Sequence, residues 1–266
     1  MSDQTTVPLT IVSWNVNSIR IRMPQLMQWL ALRQPDVVCL QELKVEDSAF
    51  PLLELRSEGW HVAFAGQKAY NGVAILSRTP ITDVAVGLDD GVDDPQVRLI
   101  AGTVRGVRVV SLYLPNGNEP DSDKYVYKQQ WLQRFVAWLQ RQTTPDQLLA
   151  VLGDFNIAPE LRDVRTLADW QGSVLYNPLM HQHFGRILDC GLRDAFRRVC
   201  PDPGVYSWWD YRAGAFARDD GLRIDHVLAT EPLARLAAVG FVDRVTRTWD
   251  KPSDHAPIGV TFALPA

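Results

Sequence analysis

The side chains able to do chemistry in this chain are carboxylates and amides, and they recur where apolar runs end. The segment Leu148–Pro159, LLAVLGDFNIAP, climbs through an apolar run, breaks at Gly153 and delivers Asp154 and Asn156 two residues apart. On an extended strand side chains alternate, so Asp154 and Asn156 point one way while Phe155 and Ile157 point the other. That sets an acid/base beside a hydrogen-bonding amide at a strand end, where ligand sites of layered α/β proteins gather. The same ending recurs elsewhere. Asn15 and Asn17 close TIVSWNVN, Glu42 follows DVVCLQ, Tyr113 sits in SLYLP, Asp225 in LRIDHV and Asp254-His255 in SDHAPI. A capping or turn role accounts for any one of these, but poorly for all of them, because desolvated carboxylates are costly unless paired or bound to a cation. Oxygen donors without a thiolate or paired-histidine motif suit Mg²⁺, with Mn²⁺ as the alternative, rather than Zn²⁺. The chemistry they suggest is hydrolysis assisted by a hard divalent metal.

Positioning these groups requires an alternation of strands and helices. Thr10–Asn17 sets Val12, Trp14 and Val16 against Ser13, Asn15 and Asn17, which predicts a strand. Pro24 at a helix start, with Met23, Leu26, Met27 and Leu30 on one side, predicts an amphipathic helix of about three turns. Asp36–Leu40 is a short buried strand that delivers Gln41 and Glu42. Strand, helix, strand begins an α/β layer. Hairpins follow at Val62–Gly66 with Gly72–Ser77, and at Leu99–Val104 with Val107–Leu114 turning at Arg105-Gly106. Tyr127, Trp131, Phe135 and Trp138 recur at helical spacing, a core stripe rather than a base-stacking platform. Glu160–Val199 reads as irregular and helical in pieces, and Tyr206–Tyr211, Leu222–Ala229, Val239–Val245 and Ala256–Phe262 read as strands.

Composition bounds the rest. A hydrophobic content of 46% with nine tryptophans supports a sizeable core in 266 residues. No stretch reaches membrane-spanning length, and MSDQTTVPL lacks the charge and apolar run of a signal peptide. Three cysteines, Cys39, Cys190 and Cys200, are odd in number and lack metal spacing, which fits a reduced, cytoplasmic protein. The net charge of −4 gives no global attraction for a polyanion, although local fields outweigh the sum. Arg186, Arg193, Arg197, Arg198, Arg212, Arg218 and Arg223 cluster in the last third and read as a solvated face. His181 and His183 read as surface or loop histidines, His226 as a satisfied, partly buried one, and Asp89–Asp94 as a solvated loop without EF-hand spacing.

Taken together and in order, SWNVNSIR, LQELK, LYLPNG, GDFNIAP, GLRIDHVLA and SDHAPI resemble the exonuclease III family of apurinic/apyrimidinic endonucleases, within the DNase I-like endonuclease/exonuclease/phosphatase superfamily. The resemblance runs from about Ile11 to Phe262, and WWDYRAGAFARDDGLRID points to the DNA-repair branch. It implies a four-layered α/β sandwich, two facing mixed β-sheets flanked by helices; the lack of any linker, repeat or low-complexity segment reads as a single domain, 10–264, after a tail of residues 1–9. It implies a Mg²⁺-dependent enzyme that cuts 5′ to abasic sites, leaves a 3′-hydroxyl, degrades 3′ ends and removes 3′-blocking groups. Its partner would be double-stranded DNA with abasic or 3′-blocked ends, with no membrane, acting as a cytoplasmic, nucleoid-associated monomer.

Carried onto this chain, the resemblance makes Glu42 the principal metal ligand. Asn17 stands where some relatives have aspartate, so the second ligand is left between Asn17, Asp254 and water. Asn15 would bind the scissile phosphate or position Asp154, and Asn156 would hold a phosphate oxygen. Asp154 or a metal-bound water would be the base. His255 would contact the phosphate with Asp225 orienting it, and Tyr113 would donate to the phosphate or help the departing oxygen. Trp208, Leu222 and Ile224 would wall a pocket for a flipped, base-less sugar, with one of Trp208-Trp209 in the core. Tyr70, Asn116, Lys44, Lys124 and Arg212 are the candidate backbone contacts. The competing readings are a superfamily phosphodiesterase acting on a phosphoinositide or sphingolipid, and a catalytically silent nucleic-acid-binding relative. The retained Glu42, Asp154, Asn156, Asp225 and His255 weigh against the second.

Overall fold

Strands that are apolar on both faces must be covered twice, and this chain covers them by stacking four layers. The structure, a computed structural model, describes residues 5–266. In order the elements are β1 (Thr6–Asn15), α1 (Ile19–Arg33), β2 (Val37–Gln41), α2 (Leu52–Ser57), β3 (His61–Ala65), β4 (Val73–Ser77), β5 (Thr82–Val86), β6 (Leu99–Val104), β7 (Val107–Tyr113) and α3 (Asp123–Gln142). There follow β8 (Leu149–Asp154), α4 (Leu167–Trp170), α5 (Pro178–Asp189), β9 (Leu192–Asp194), α6 (Ala195–Val199), β10 (Asp225–Thr230), α7 (Glu231–Ala234), β11 (Ala237–Val242) and β12 (Ile258–Pro265). They form two six-stranded sheets, β11-β12-β1-β2-β4-β3 and β5-β6-β7-β8-β10-β9. Both are mixed: β1–β2 and β7–β8 are parallel pairs inside otherwise antiparallel sheets.

Alternation explains the layering. Ile11, Val37, Cys39 and Ile75 face Ile100, Val109, Leu152 and Val227 between the sheets. Their chain neighbours Val12, Val38 and Leu76 turn outward to Leu26, Trp29 and Leu30 of α1. On the other side Leu112, Val151 and Leu228 meet Trp131, Phe135 and Trp138 of α3 and Phe184 and Ile187 of α5. Each such side chain, fully buried, contributes roughly 1.5–3 kcal/mol. The aromatic stripe therefore anchors α3, whose start is closed by the Ser122 hydroxyl accepting from the Tyr125 N–H. This is the expected four-layered sandwich. Among the described residues, no helix is long and apolar enough to cross a membrane.

Several boundaries differ from the sequence reading. β1 starts at Thr6, so residues 6–9 are not tail: they pair with Phe262–Pro265 of β12, where partner hydrogen bonds extend the strand beyond its alternating stretch. Residues 1–4 of the expected tail lie outside the described residues. Pro24 lies inside α1 rather than at its start, because Ile19 already packs in the core and begins the helix. Tyr206–Tyr211 is not a strand: Trp208 makes only isolated bridges to Leu222 and His255. The strand expected from Leu222 begins at Asp225, and that expected at Ala256 begins at Ile258. The Val239–Val245 strand spans Ala237–Val242, then gives way to a 3₁₀ turn. β5 went unread, since an exposed edge strand has no buried face to impose alternation. The arginine cluster splits: Arg197 and Arg223 are buried, because Asp163 and Asp194 meet them inside.

Candidate active site

The polar groups meet where the two parallel strand pairs end. In register, Asn15 lies opposite Gln41 at the end of β1–β2, Tyr113 opposite Asp154 at the end of β7–β8, and Asp154 opposite Asp225. Gly153 allows the close β7–β8 approach, since a Cβ there would lie 1.8 Å from the carbonyl oxygen of Leu112, its register partner on β7. Past the strand ends the backbone turns through left-handed residues: Asn17 (φ 46°), Glu42 (φ 50°) and Asn156 (φ 49°). Asn156 is thus placed by a turn, with its N–H donating to Asp154 Oδ1 at 2.9 Å, not by strand alternation as the sequence suggested.

Asn15 is the hub. Its fully buried amide donates to Glu42 Oε1 at 2.8 Å and to Asp154 Oδ2 at 3.0 Å, while its oxygen accepts from the Asn17 N–H. Both amide hydrogens are spent on carboxylates, which favours the positioning alternative over direct phosphate binding. His255 Nδ1 lies 2.8 Å from Asp225 Oδ2, and its Nε2 lies 3.6 Å from Asp154 Oδ2. The second Asp225 oxygen, Oδ1, is buried without a partner among the described residues. Three groups that sequence reasoning passed over hold this arrangement. The Ser207 hydroxyl donates to Asp225 Oδ2, the Ser253 hydroxyl to the Asn15 carbonyl, and the Trp14 indole to the His255 carbonyl. Ser253 opens the quoted motif SDHAPI and Ser207 lies in the segment Tyr206–Tyr211, which was the available signal.

The electrostatics follow from burying several acids together. Burial, reinforced by Asp225 and Glu42, raises Asp154 to about 7 against the opposing pull of His255. Burial alone would lower His255, but Asp225 and Asp154 outweigh it and raise it to about 10. Burial and the charges of Glu42 and Asp154 hold the Tyr113 hydroxyl well above its ordinary value, so it stays a donor. Burial opposes the ionised Asp254, yet His255 and the Trp208 indole N–H hold it below the usual carboxylate range.

Glu42, Asn17 and Asp254, the expected metal set, are joined through hydrogen bonds. Asn17 Nδ2 donates to Asp254 Oδ1 at 2.9 Å, and Lys44 Nζ bridges the Asn17 amide oxygen and Glu42 Oε2. A tighter donor triad is Asp154, Asp225 and His255, with ligand atoms within 4.8 Å of one another. A neutral imidazole is needed to ligate a cation, and His255 is held charged, so the oxygen donors around Glu42 fit a hard ion better.

The substrate-contact candidates divide. Tyr70, Asn116 and Lys124 line a cleft of about 460 Å³ with Arg98 and Tyr113. Arg98, unread in the sequence, stacks its guanidinium over the Tyr113 ring at 4.9 Å. Lys44 turns inward as described, and Arg212 lies in the open, tied to Asp210 at 2.7 Å. Leu222 and Ile224 do not wall an open pocket: at 0% and 2% exposure they pack with Val164, Val174 and Leu175, and Trp170, edge-on to Trp208 at 5.5 Å, packs against the same cluster. Trp208 remains half-buried above them, while Trp209 is core. His183 and His226 are buried; His181 is half-buried on α5, edge-on to Tyr176.

Known proteins share this fold over almost the whole chain. The 3′ phosphatase from Neisseria, solved bound to a product DNA hairpin, superposes with a TM-score of 0.93 at 43% identity, covering 96% of this chain and 99% of that one. The AP endonuclease from Archaeoglobus fulgidus gives a TM-score of 0.92 at 38% identity, covering 96% and 99%. Exodeoxyribonuclease III of Haemophilus influenzae is 33% identical over 267 residues, 96% of this chain and 100% of the relative. A family model matches residues 12–255, a span that starts within β1 and ends on His255. With fold, relatives and family model in agreement, the chain belongs to the endonuclease/exonuclease/phosphatase family.

Proposed function

We propose that this protein is a metal-dependent DNA-repair phosphodiesterase. It cuts the backbone 5′ to abasic sites to leave a 3′-hydroxyl, and it trims and unblocks 3′ ends. The observation that carries this reading is Asp154, a carboxylate raised to about 7 and held between Asn15 and the His255–Asp225 pair. A base with that affinity can take the proton of an attacking water near neutral pH. His255, kept cationic by Asp225, faces the position where charge builds on a phosphate oxygen, and Tyr113 supplies a neutral donor. Asn116 donates to Asn156 Oδ1 at 2.7 Å, which presents the two amides together. Glu42 with Asn17 or Asp254 would hold Mg²⁺ or Mn²⁺, which supplies Lewis-acid stabilisation of the phosphate when bound. Asp225 Oδ1, buried and without a hydrogen-bond partner among the described residues, supports a rim with negative capacity to spare. The relatives named for exodeoxyribonuclease, AP endonuclease and 3′ phosphatase activity support the substrate class. The reading extends to one domain acting as a monomer in the cytoplasm, at the nucleoid.

The test is a duplex with a single abasic site and a second duplex ending in a 3′-phosphate, each with Mg²⁺ and with chelator, products resolved by length and end chemistry. Metal-dependent incision with a 3′-hydroxyl is the expected product of the first, and free phosphate that of the second. Turnover of a phosphoinositide with neither DNA product would overturn the reading.

A further inference from the structure

Behind the amides lies a lysine with no role in the reading above. Lys128 of α3 is fully buried, and among the described residues no carboxylate pairs with it. Its ammonium donates to three backbone carbonyls instead: Val174 at 2.6 Å, Asn156 at 2.7 Å and Asn116 at 3.1 Å. An ammonium has three donors and no acceptor, so this set uses all of it. The three carbonyls belong to three separate loops. One follows β7 and carries Asn116, one follows β8 and carries Asn156, and the third precedes α5 and covers the Leu222–Ile224 cluster. Gly117 supports the stem: its backbone is left-handed (φ 95°), and a Cβ there would sit 3.1 Å from Lys128 Cδ. Burial pushes the ammonium down to about 7, with the charge of Asp154 opposing that fall. A buried cation this poorly compensated is costly to keep unless its hydrogen bonds do something that apolar packing cannot.

We propose that Lys128 is a positioning residue: by pinning the Asn116, Asn156 and Val174 carbonyls to one ammonium, it sets the two phosphate-facing amides and the apolar cover as one unit. The proposal rests on the functional reading for its kinetic readout but not for its structural one. Asn116 and Asn156 are already hydrogen-bonded to each other, so a shift of either loop moves both amides away from the phosphate position. Misplacement by about 1 Å is enough to cost roughly 100-fold in rate.

Wild type, Lys128→Met and Lys128→Arg are compared on the 3′-phosphate duplex, with thermal midpoints and hydrogen exchange of the peptides carrying Asn116, Asn156 and Val174. Methionine keeps the stem and removes the donors. Its kcat is expected to fall about 100-fold, by far more than KM changes, with exchange rising in all three peptides together. Arginine, which retains charge and donors, is expected to recover most of that loss. A folded Lys128→Met with kcat near wild type, or with exchange raised in only one peptide, overturns the proposal. Should neither variant fold, wild-type protein labelled with ¹⁵N-lysine decides: one slowly exchanging ammonium resonance supports the clamp, and its absence sinks it. If wild type shows that resonance but cleaves no DNA, the functional reading fails and the clamp stands.

Discussion

Asp225 and His226 are neighbours on β10, and strand alternation sends them into two buried charge clusters of opposite character. His226 joins the outer one. Its Nδ1 meets Arg223 at 2.9 Å and its Nε2 meets the Ile157 carbonyl at 2.8 Å. There Asp163 is gripped by Arg197 and Arg223, and Asp194 takes Arg223 at 2.8 Å and caps α6. Every carboxylate faces a guanidinium. Although burial opposes it, Arg223 and Arg197 hold Asp163 below its ordinary range, while burial and Arg223 lower His226 to about 3. Asp225 joins the inner cluster, where Asp154 has only a shared claim on His255 and one Asp225 oxygen has no partner. Both clusters are largely buried, and they differ in compensation. Matched charge gives a rigid brace; unmatched negative charge gives a place that gains by admitting a cation and that holds a carboxylate ready to take a proton.

The comparison can be broken from either side. Asp154→Asn should lose about 10²–10⁴-fold in kcat while still binding DNA and without a lower thermal midpoint. A midpoint drop as large as that of an outer-cluster variant would make Asp154 a brace after all. Asp163→Asn leaves two guanidiniums inside without their acid and should cost about 3–5 kcal/mol in urea unfolding, with near-normal kcat per folded molecule. A loss of activity beyond the unfolded fraction would join the two clusters functionally.

In pH dependence the clusters should have opposite signs. Asp154, raised from 3.8 to about 7, binds its proton more tightly when folded. Its contribution to stability is therefore full below 3.8 and lost as pH rises through about 7, whereas kcat/KM rises through the same value. His226, lowered from 6.5 to about 3, contributes stability above 6.5 that is lost as pH falls toward 3. Chemical unfolding across this range should show Asp154→Asn flattening the first change and His226→Gln the second. Identical profiles for both variants would contradict the assignment.

How much was legible follows from how local each signal is. The strands that end at Asn15, Gln41, Tyr113 and Asp154 are readable because period-two alternation and apolar runs are properties of adjacent residues. The edge strand β5, with no buried face, left no such mark. Leu222 and Ile224 are pocket walls only by what the resemblance implies, and nothing nearby in sequence announces that Val164, Val174, Leu175 and Trp170 pack against them. Arg197, Arg223 and Lys128 read as surface or went unremarked, since their residue type argues for water until a partner is found. Those partners lie 34, 60 and up to 46 positions away.

The amino-acid order by itself determined which donors and acids this protein owns and which strand ends carry them, because both are written in neighbouring residues. Only the tertiary structure decided which buried charges are matched and which are left in want. That depends on spatial approach, as when Asn15 reaches across 139 positions to Asp154, and the Coulomb energy of a buried pair is set by separation and surroundings rather than by place in the chain.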